Sequence, residues 1–86
     1  KRRISQGGIT STVVDARLIF KEAITQNATK ILLCHNHPSG NLKPSQADIS
    51  ITRKIKDLGL LFDITLLDHI IVGETGYLSL AEEGLL

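Results

Sequence analysis

The passage from Lys30 to Asp48 constrains this chain more than any other. Lys30-Ile31-Leu32-Leu33-Cys34 is an apolar run of strand length, Pro38, Ser39 and Gly40 stop it, and Pro44 followed by Ser45 opens a helix. Strand alternation puts His35 and His37 on one face, and Asp48 falls in the first turn of the helix. Two imidazoles and a carboxylate therefore meet at one strand-to-helix junction. With a fourth position left for water, that is the donor set of a catalytic zinc.

Ser45-Gln46-Ala47-Asp48 also reads as a capping box, in which a serine hydroxyl and an acid three residues later satisfy the free amides of a helix start. Taken alone, capping would explain both residues. The paired histidines upstream make metal ligation the better reading of Asp48, and Ser45 can serve both ends. Two histidines on a strand can also be a polar surface pair, but Ser45 and Asp48 in matching places argue against it.

In chain order, Lys1 to Gln6 reads as the tail of a strand closed by Gly7-Gly8. A helix follows with Asp15 as its N-cap, an apolar stripe of Leu18, Ile19, Ala23 and Ile24 with Phe20 beside it, and an end at Gln26-Asn27. The strand Lys30 to Asn36 is apolar at consecutive positions, as expected of a central strand covered on both faces by helices. The second helix runs from Ser45 to Leu58, with Ile51, Ile55 and Leu58 in register, Ile49 at its shoulder and Gly59 as its stop. Strands at Phe62 to Val72 and Tyr77 to Leu80 flank the turn Gly73-Glu74-Thr75-Gly76. A strand, helix, strand order implies a right-handed crossover and parallel pairing, which puts the histidines at a carboxyl edge, where open α/β sheets bind ligands. In the later strand Ile64, Leu66, Ile70 and Val72 would share a face with Asp68, and burying that acid is costly unless it is paired. Ala81 to Leu86 has no evident partner.

At 86 residues the chain suits one small domain, and apolar residues at 42% with aromatics at only 3% require an aliphatic core. No apolar run approaches the ~18 residues of a membrane span, and no secretory h-region is present, so a soluble, cytoplasmic protein is expected. The single Cys34 cannot form an internal disulfide, and alternation points its thiol away from the histidines. Residues 1–43 carry seven basic and two acidic side chains and residues 44–86 three and seven, for a net charge of +1. The only basic cluster is Lys1-Arg2-Arg3, so DNA contact is weakly supported, because such binding draws on clustered Lys and Arg.

The pattern His-x-His, seven residues, Ser45, two residues, Asp48 resembles the signature of the JAMM or MPN+ metallopeptidases. The words HNHPSG and Leu67-Asp68-His69-Ile70-Ile71-Val72-Gly73 narrow the likeness to their RadC-like branch, bacterial proteins labelled as DNA repair proteins, over roughly residues 9 to 80. The resemblance implies a three-layer α-β-α mixed sheet of the cytidine-deaminase-like kind. It also implies Zn2+ held by His35, His37 and Asp48, with Ser45 assisting at the substrate carbonyl. Asp68 or His69 is then expected to orient a ligand, with a strand-end salt bridge as the equal alternative for the acid.

The implied activity is hydrolysis of an amide or isopeptide bond in a peptide substrate. That family also uses an upstream glutamate as general base, and Lys1 to Thr12 contains no acid. Asp15 and Glu22 are poor substitutes, so the chain is expected to be a fragment whose upstream part carried the glutamate. The rival reading is a DNA-repair accessory or assembly domain that keeps the fold without catalysis, and self-association into a homo-oligomer is compatible with either. Zinc deaminases are excluded, because His35-Asn36-His37 has a histidine where their His-x-Glu has the glutamate and the lone Cys34 cannot supply a Cys-x-x-Cys. His35-Asn36-His37 is likewise no HNH nuclease, whose name lists dispersed residues.

Overall fold

The computed structural model describes residues 7–12, 15–37 and 41–86; the strand tail expected at Lys1 to Gln6 lies outside them. Four strands and two helices follow in the order β1 (Gly8–Thr12), α1 (Ala16–Thr25), β2 (Lys30–Asn36), α2 (Gln46–Phe62), β3 (Thr65–Val72) and β4 (Tyr77–Ser79). They build one mixed sheet of order β1-β2-β3-β4, in which β1, β2 and β3 run parallel and β4 returns antiparallel. β2 is interior, as the sequence suggests. Gly7-Gly8 does not close a strand: Gly8 opens β1, whose Ile9 is buried against the core.

Asp15 caps α1 by accepting the Arg17 amide at 2.9 Å, and the helix ends at Gln26. Its buried stripe is Ala16, Ile19, Phe20 and Ala23, whereas Leu18 and Ile24 face solvent. The two alanines decide this, since small side chains let the helix lie close to the sheet on that face. Ile19, Phe20 and Ala23 of α1 join Ile55 of α2 and Ile9, Ile31, Leu33 and Leu66 of the sheet in a single aliphatic cluster. Both helices thus stand on one face, as successive right-handed crossovers in one direction require. On the other face Thr10, Leu32, Cys34 and Ile70 are only half-buried, so β2 is covered unequally rather than on both sides.

Helix α2 does not stop at Gly59 but continues to Phe62, and Asp63, in the left-handed region at φ 57°, ends it. Gly59 is buried because the chain doubles back over it: the Ile64 amide donates to Gly59 O at 2.8 Å, and a Cβ at Gly59 would overlap the Ile64 carbonyl oxygen. The glycine marks a close approach inside the helix, not a helix end. β3 therefore begins at Thr65 instead of Phe62.

A register shift in β3 has the largest consequence for the site. Ile31 pairs with Leu66 but Leu32 pairs with Asp68, so Leu67 is an extra, exposed residue and the alternation of β3 changes phase there. Asp68 moves to the face of Leu32 and Cys34, away from Leu66, and His69 and Ile71 take the core face beside Leu33 and His35. The expectation that Asp68 shares a face with Leu66 fails for this reason. The apolar C-terminus finds a partner as well, since Leu86 packs against the main cluster. No helix of the described residues is long and apolar enough to cross a membrane.

Gly59→Ala is expected to destabilise the fold by about 1–3 kcal/mol, the usual cost of forcing extra volume into a packed site. Denaturant unfolding checks it. A glycine inside the helix with no chain crossing over it would gain stability from alanine instead.

Candidate metal centre

The site lies where the carboxyl end of β2 meets the first turn of α2. His35 is in β2, and His37 follows directly, with its backbone fixed by donation from its N–H to Val72 O at 2.9 Å. Opposite them, α2 opens on a complete capping box: the Asp48 amide donates to Ser45 Oγ at 3.0 Å and the Ser45 amide donates to Asp48 Oδ2 at 2.8 Å. The box is real and does not compete with the second role, because it fixes the carboxylate that the histidines meet. Asp48 is 3% exposed, with Oδ1 2.8 Å from His35 Nδ1 and Oδ2 3.3 Å from His37 Nε2.

The protons on these rings follow from their partners. His37 Nδ1 lies 2.8 Å from the carbonyl oxygen of Asn41, which can only accept, so Nδ1 carries a proton and Nε2 is the nitrogen left to face Asp48 Oδ2. His35 Nδ1 is buried and makes no hydrogen bond among the described residues even though Asp48 Oδ1 is 2.8 Å away, because the oxygen lies off the direction an N–H would need. Electron-rich atoms so arranged repel one another unless a proton or a cation lies between them.

A third imidazole stands behind this pair. Thr52, four residues after Asp48 and on the same side of α2, gives its single hydroxyl proton to Asp48 O at 2.6 Å. His69 Nδ1, also 2.6 Å from Thr52 Oγ1, must therefore donate to that oxygen. His69 is fully buried. One ligand-capable atom from each of His35, Asp48 and His69 lies within 4.8 Å of the others. His35 and His37 meet edge to face at 4.7 Å between ring centroids, and His35 stacks on His69 at 6.0 Å.

Burial works to raise the Asp48 pKa, but hydrogen bonds from Ser45 and the fields of His35 and His37 outweigh it and hold the carboxyl below its ordinary value. Burial lowers the pKa of His69 against the opposing pull of Asp48, which favours the neutral ring that can act as a ligand. Cys34, on the opposite face, has its thiol pKa raised by burial and then by Asp68, the environment of an inert structural cysteine. Imidazole nitrogens and one carboxylate suit a borderline cation such as zinc, and the unpartnered nitrogens fit that group.

The residues singled out in the sequence are brought together with one exception. His35, Asp48 and His69 form the group of ligand-capable atoms, His37 stands outside that group with Nε2 3.3 Å from Asp48 Oδ2, and Ser45 meets Asp48 through the cap, whereas Asp68 does not reach them. Its Oδ1 accepts the His69 and Ala81 amides at 2.7 and 2.9 Å, and its Oδ2 accepts the Ser79 hydroxyl, so it fastens the turn after β4. Among the described residues Asp68 bonds no imidazole nitrogen and forms no salt bridge. Two participants went unnoticed in the sequence. Thr52 could have been found, being four residues from Asp48 on one helix face. Asn41 contributes a backbone carbonyl that no side-chain motif announces.

A family profile described as RadC-like JAB domain matches residues 1–85. The chain belongs to the RadC-like JAB domain family. Among curated relatives it is 53% identical over 85 residues to a UPF0758 protein of Flavobacterium johnsoniae, covering 99% of this chain and 37% of the relative. It is 49% identical over 81 residues to a UPF0758 protein of Clostridium botulinum, covering 94% of this chain and 35% of that one. With a UPF0758 protein of Clostridium perfringens the identity is 45% over 86 residues, covering the whole chain and 38% of the relative. The RadC-like chain thus spans little more than a third of the length of these relatives.

Since Ser45 Oγ takes the Asp48 amide, Ser45→Ala is expected to cost about 1 kcal/mol of stability, as loss of an N-cap does. Chemical denaturation measures this. A serine present for catalysis alone would leave the midpoint where it was.

Proposed function

We propose that this RadC-like JAB domain is a zinc-dependent hydrolase that cleaves an amide or isopeptide bond in a peptide substrate. The observation that carries the reading is the convergence of His35 Nδ1 and His37 Nε2 on the buried Asp48 carboxylate, at 2.8 and 3.3 Å, with the other His37 nitrogen turned to Asn41 O. His35, His37 and Asp48 would hold the ion, which when bound supplies a Lewis acid that polarises a carbonyl and makes water nucleophilic near neutral pH.

Ser45 is exposed at the mouth of the site. Because its oxygen already accepts from the Asp48 amide, what it offers a substrate is its O–H, directed at the oxygen on which charge develops. The neighbouring acids are committed elsewhere: Asp48 to the cap and the imidazoles, Asp68 to Ser79 and Ala81, and Glu22 to Gln26 on α1. A proton carrier for the leaving amine must therefore come from outside these three, which favours the upstream glutamate that the family resemblance implies. The half-covered second face of the sheet is where a third layer of an α-β-α arrangement would stand.

After reconstitution with zinc, the chain is expected to hold about one ion, and His35→Ala, His37→Ala and Asp48→Asn are each expected to weaken binding strongly. Metal analysis after dialysis against a chelator decides it; equal retention in all four proteins would remove the site. Hydrolysis of a panel of peptide and isopeptide substrates tests the activity. A longer chain containing this one and an upstream glutamate should exceed the 86-residue chain by roughly 10²–10⁴-fold, the usual worth of a positioned acid–base group. Equal rates would refute the need for that group.

A further inference from the structure

The bridge from Asp48 O through Thr52 to His69 leaves one atom unused. His69 Nδ1 donates to Thr52 Oγ1, so Nε2 carries a lone pair, and this nitrogen is fully buried with no hydrogen-bond partner among the described residues. It has no need to be there. A histidine kept only for packing would place an acceptor-type nitrogen against a donor, and the phase change at Leu67 instead delivers the ring to the face that carries His35. One ligand-capable atom of His69 lies within 4.8 Å of those of both His35 and Asp48, and the His69 ring stacks on His35.

We propose that His69 Nε2 is itself a ligand of the metal centre, so that the cation is held by three imidazoles and one carboxylate drawn from β2, α2 and β3. This rests on the reading that the cluster binds a divalent metal, not on hydrolysis. The second contact of each ring follows the pattern of metal-bound histidines, which hand their other N–H to a carbonyl or hydroxyl: Asn41 O serves His37, and Thr52 Oγ1 serves His69. Thr52 also bonds the backbone of Asp48, so one hydroxyl sets the positions of two ligands. His37 stands outside the three-residue group that shares the 4.8 Å sphere, so it is the donor placed to give way when water or a substrate carbonyl takes the open position that a hydrolase needs.

The test is imidazole nitrogen NMR on the wild-type chain, metal-free and saturated with Zn2+, with Co2+ absorption as a second reading of donor number. On zinc addition the bare nitrogens of His35, His37 and His69 should all shift, while His69 Nδ1 keeps its proton. His69→Gln should weaken zinc binding by roughly 10-fold or more and alter the cobalt spectrum. Thr52→Val, which keeps the ring and removes its hydroxyl partner, should weaken binding roughly 10- to 100-fold. A His69 Nε2 resonance that stays put at saturating zinc while His35 moves would overturn this assignment and leave the metal site standing. Uptake of neither Zn2+ nor Co2+ would overturn both. Because the NMR reading uses the wild type, a variant that fails to fold does not decide the matter.

Discussion

The structure depends on how the carboxylate of Asp48 is shared. A buried acid at the third position of a helix normally spends its oxygens on the free amides of that helix, and here Oδ2 does so with Ser45. The same oxygen, with Oδ1, faces two histidines delivered from β2. Capping and ligation are usually weighed as rival explanations of such a residue. In this fold they are consecutive: the cap determines which way the carboxylate points, the helix N-terminus stabilises its charge, and the imidazoles meet an anion that the helix has already oriented.

The extra residue at Leu67 decides which side chains of β3 share that environment. Without it, strict alternation from Leu66 would send Asp68 toward the core and His69 outward. With it, His69 faces α2 and Asp68 turns to the opposite side, where it binds the chain after β4 through Ser79 and Ala81. One inserted residue therefore separates a histidine that joins the centre from an acid that builds structure. It also keeps a second carboxylate away from Asp48, whose own charge already has to be stabilised in a buried place.

Much of this was legible in the sequence, and what was not has a physical cause. β2 and the N-cap of α2 were readable because they are specified locally, by an apolar run ended at Pro38 and by Ser45 three residues before Asp48. Asp15 was readable for the same reason. The end of α2 was not, because Gly59 is a stop signal when read alone and a close-approach position only once Ile64 folds back across it. The outward turn of Leu18 and Ile24 was hidden too, since the helix is seated by Ala16 and Ala23, which carry little weight in a hydrophobic pattern. The phase of β3 fails for a third reason. A bulge is a property of two paired strands, and a single strand's period gives no sign of it.

The consequence for metal binding follows from which of these contacts join protein groups to one another. The capping box, the Asn41 bond to His37 and the Thr52 bridge to His69 are all formed by the chain itself. Small zinc domains that fold only around their ion have no such supports, so the free energy of binding is largely the free energy of folding. Here a core of Ile9, Ile19, Ile31, Leu33 and Ile55 supports the sheet and both helices independently of the centre. Those bonds order the ligand side chains, and the cost that remains is electrostatic repulsion between a carboxylate and any nearby imidazole nitrogen that carries no proton. A divalent cation relieves that repulsion directly, which is why the same side chains that look poorly satisfied as a hydrogen-bond network are well arranged as a set of ligands.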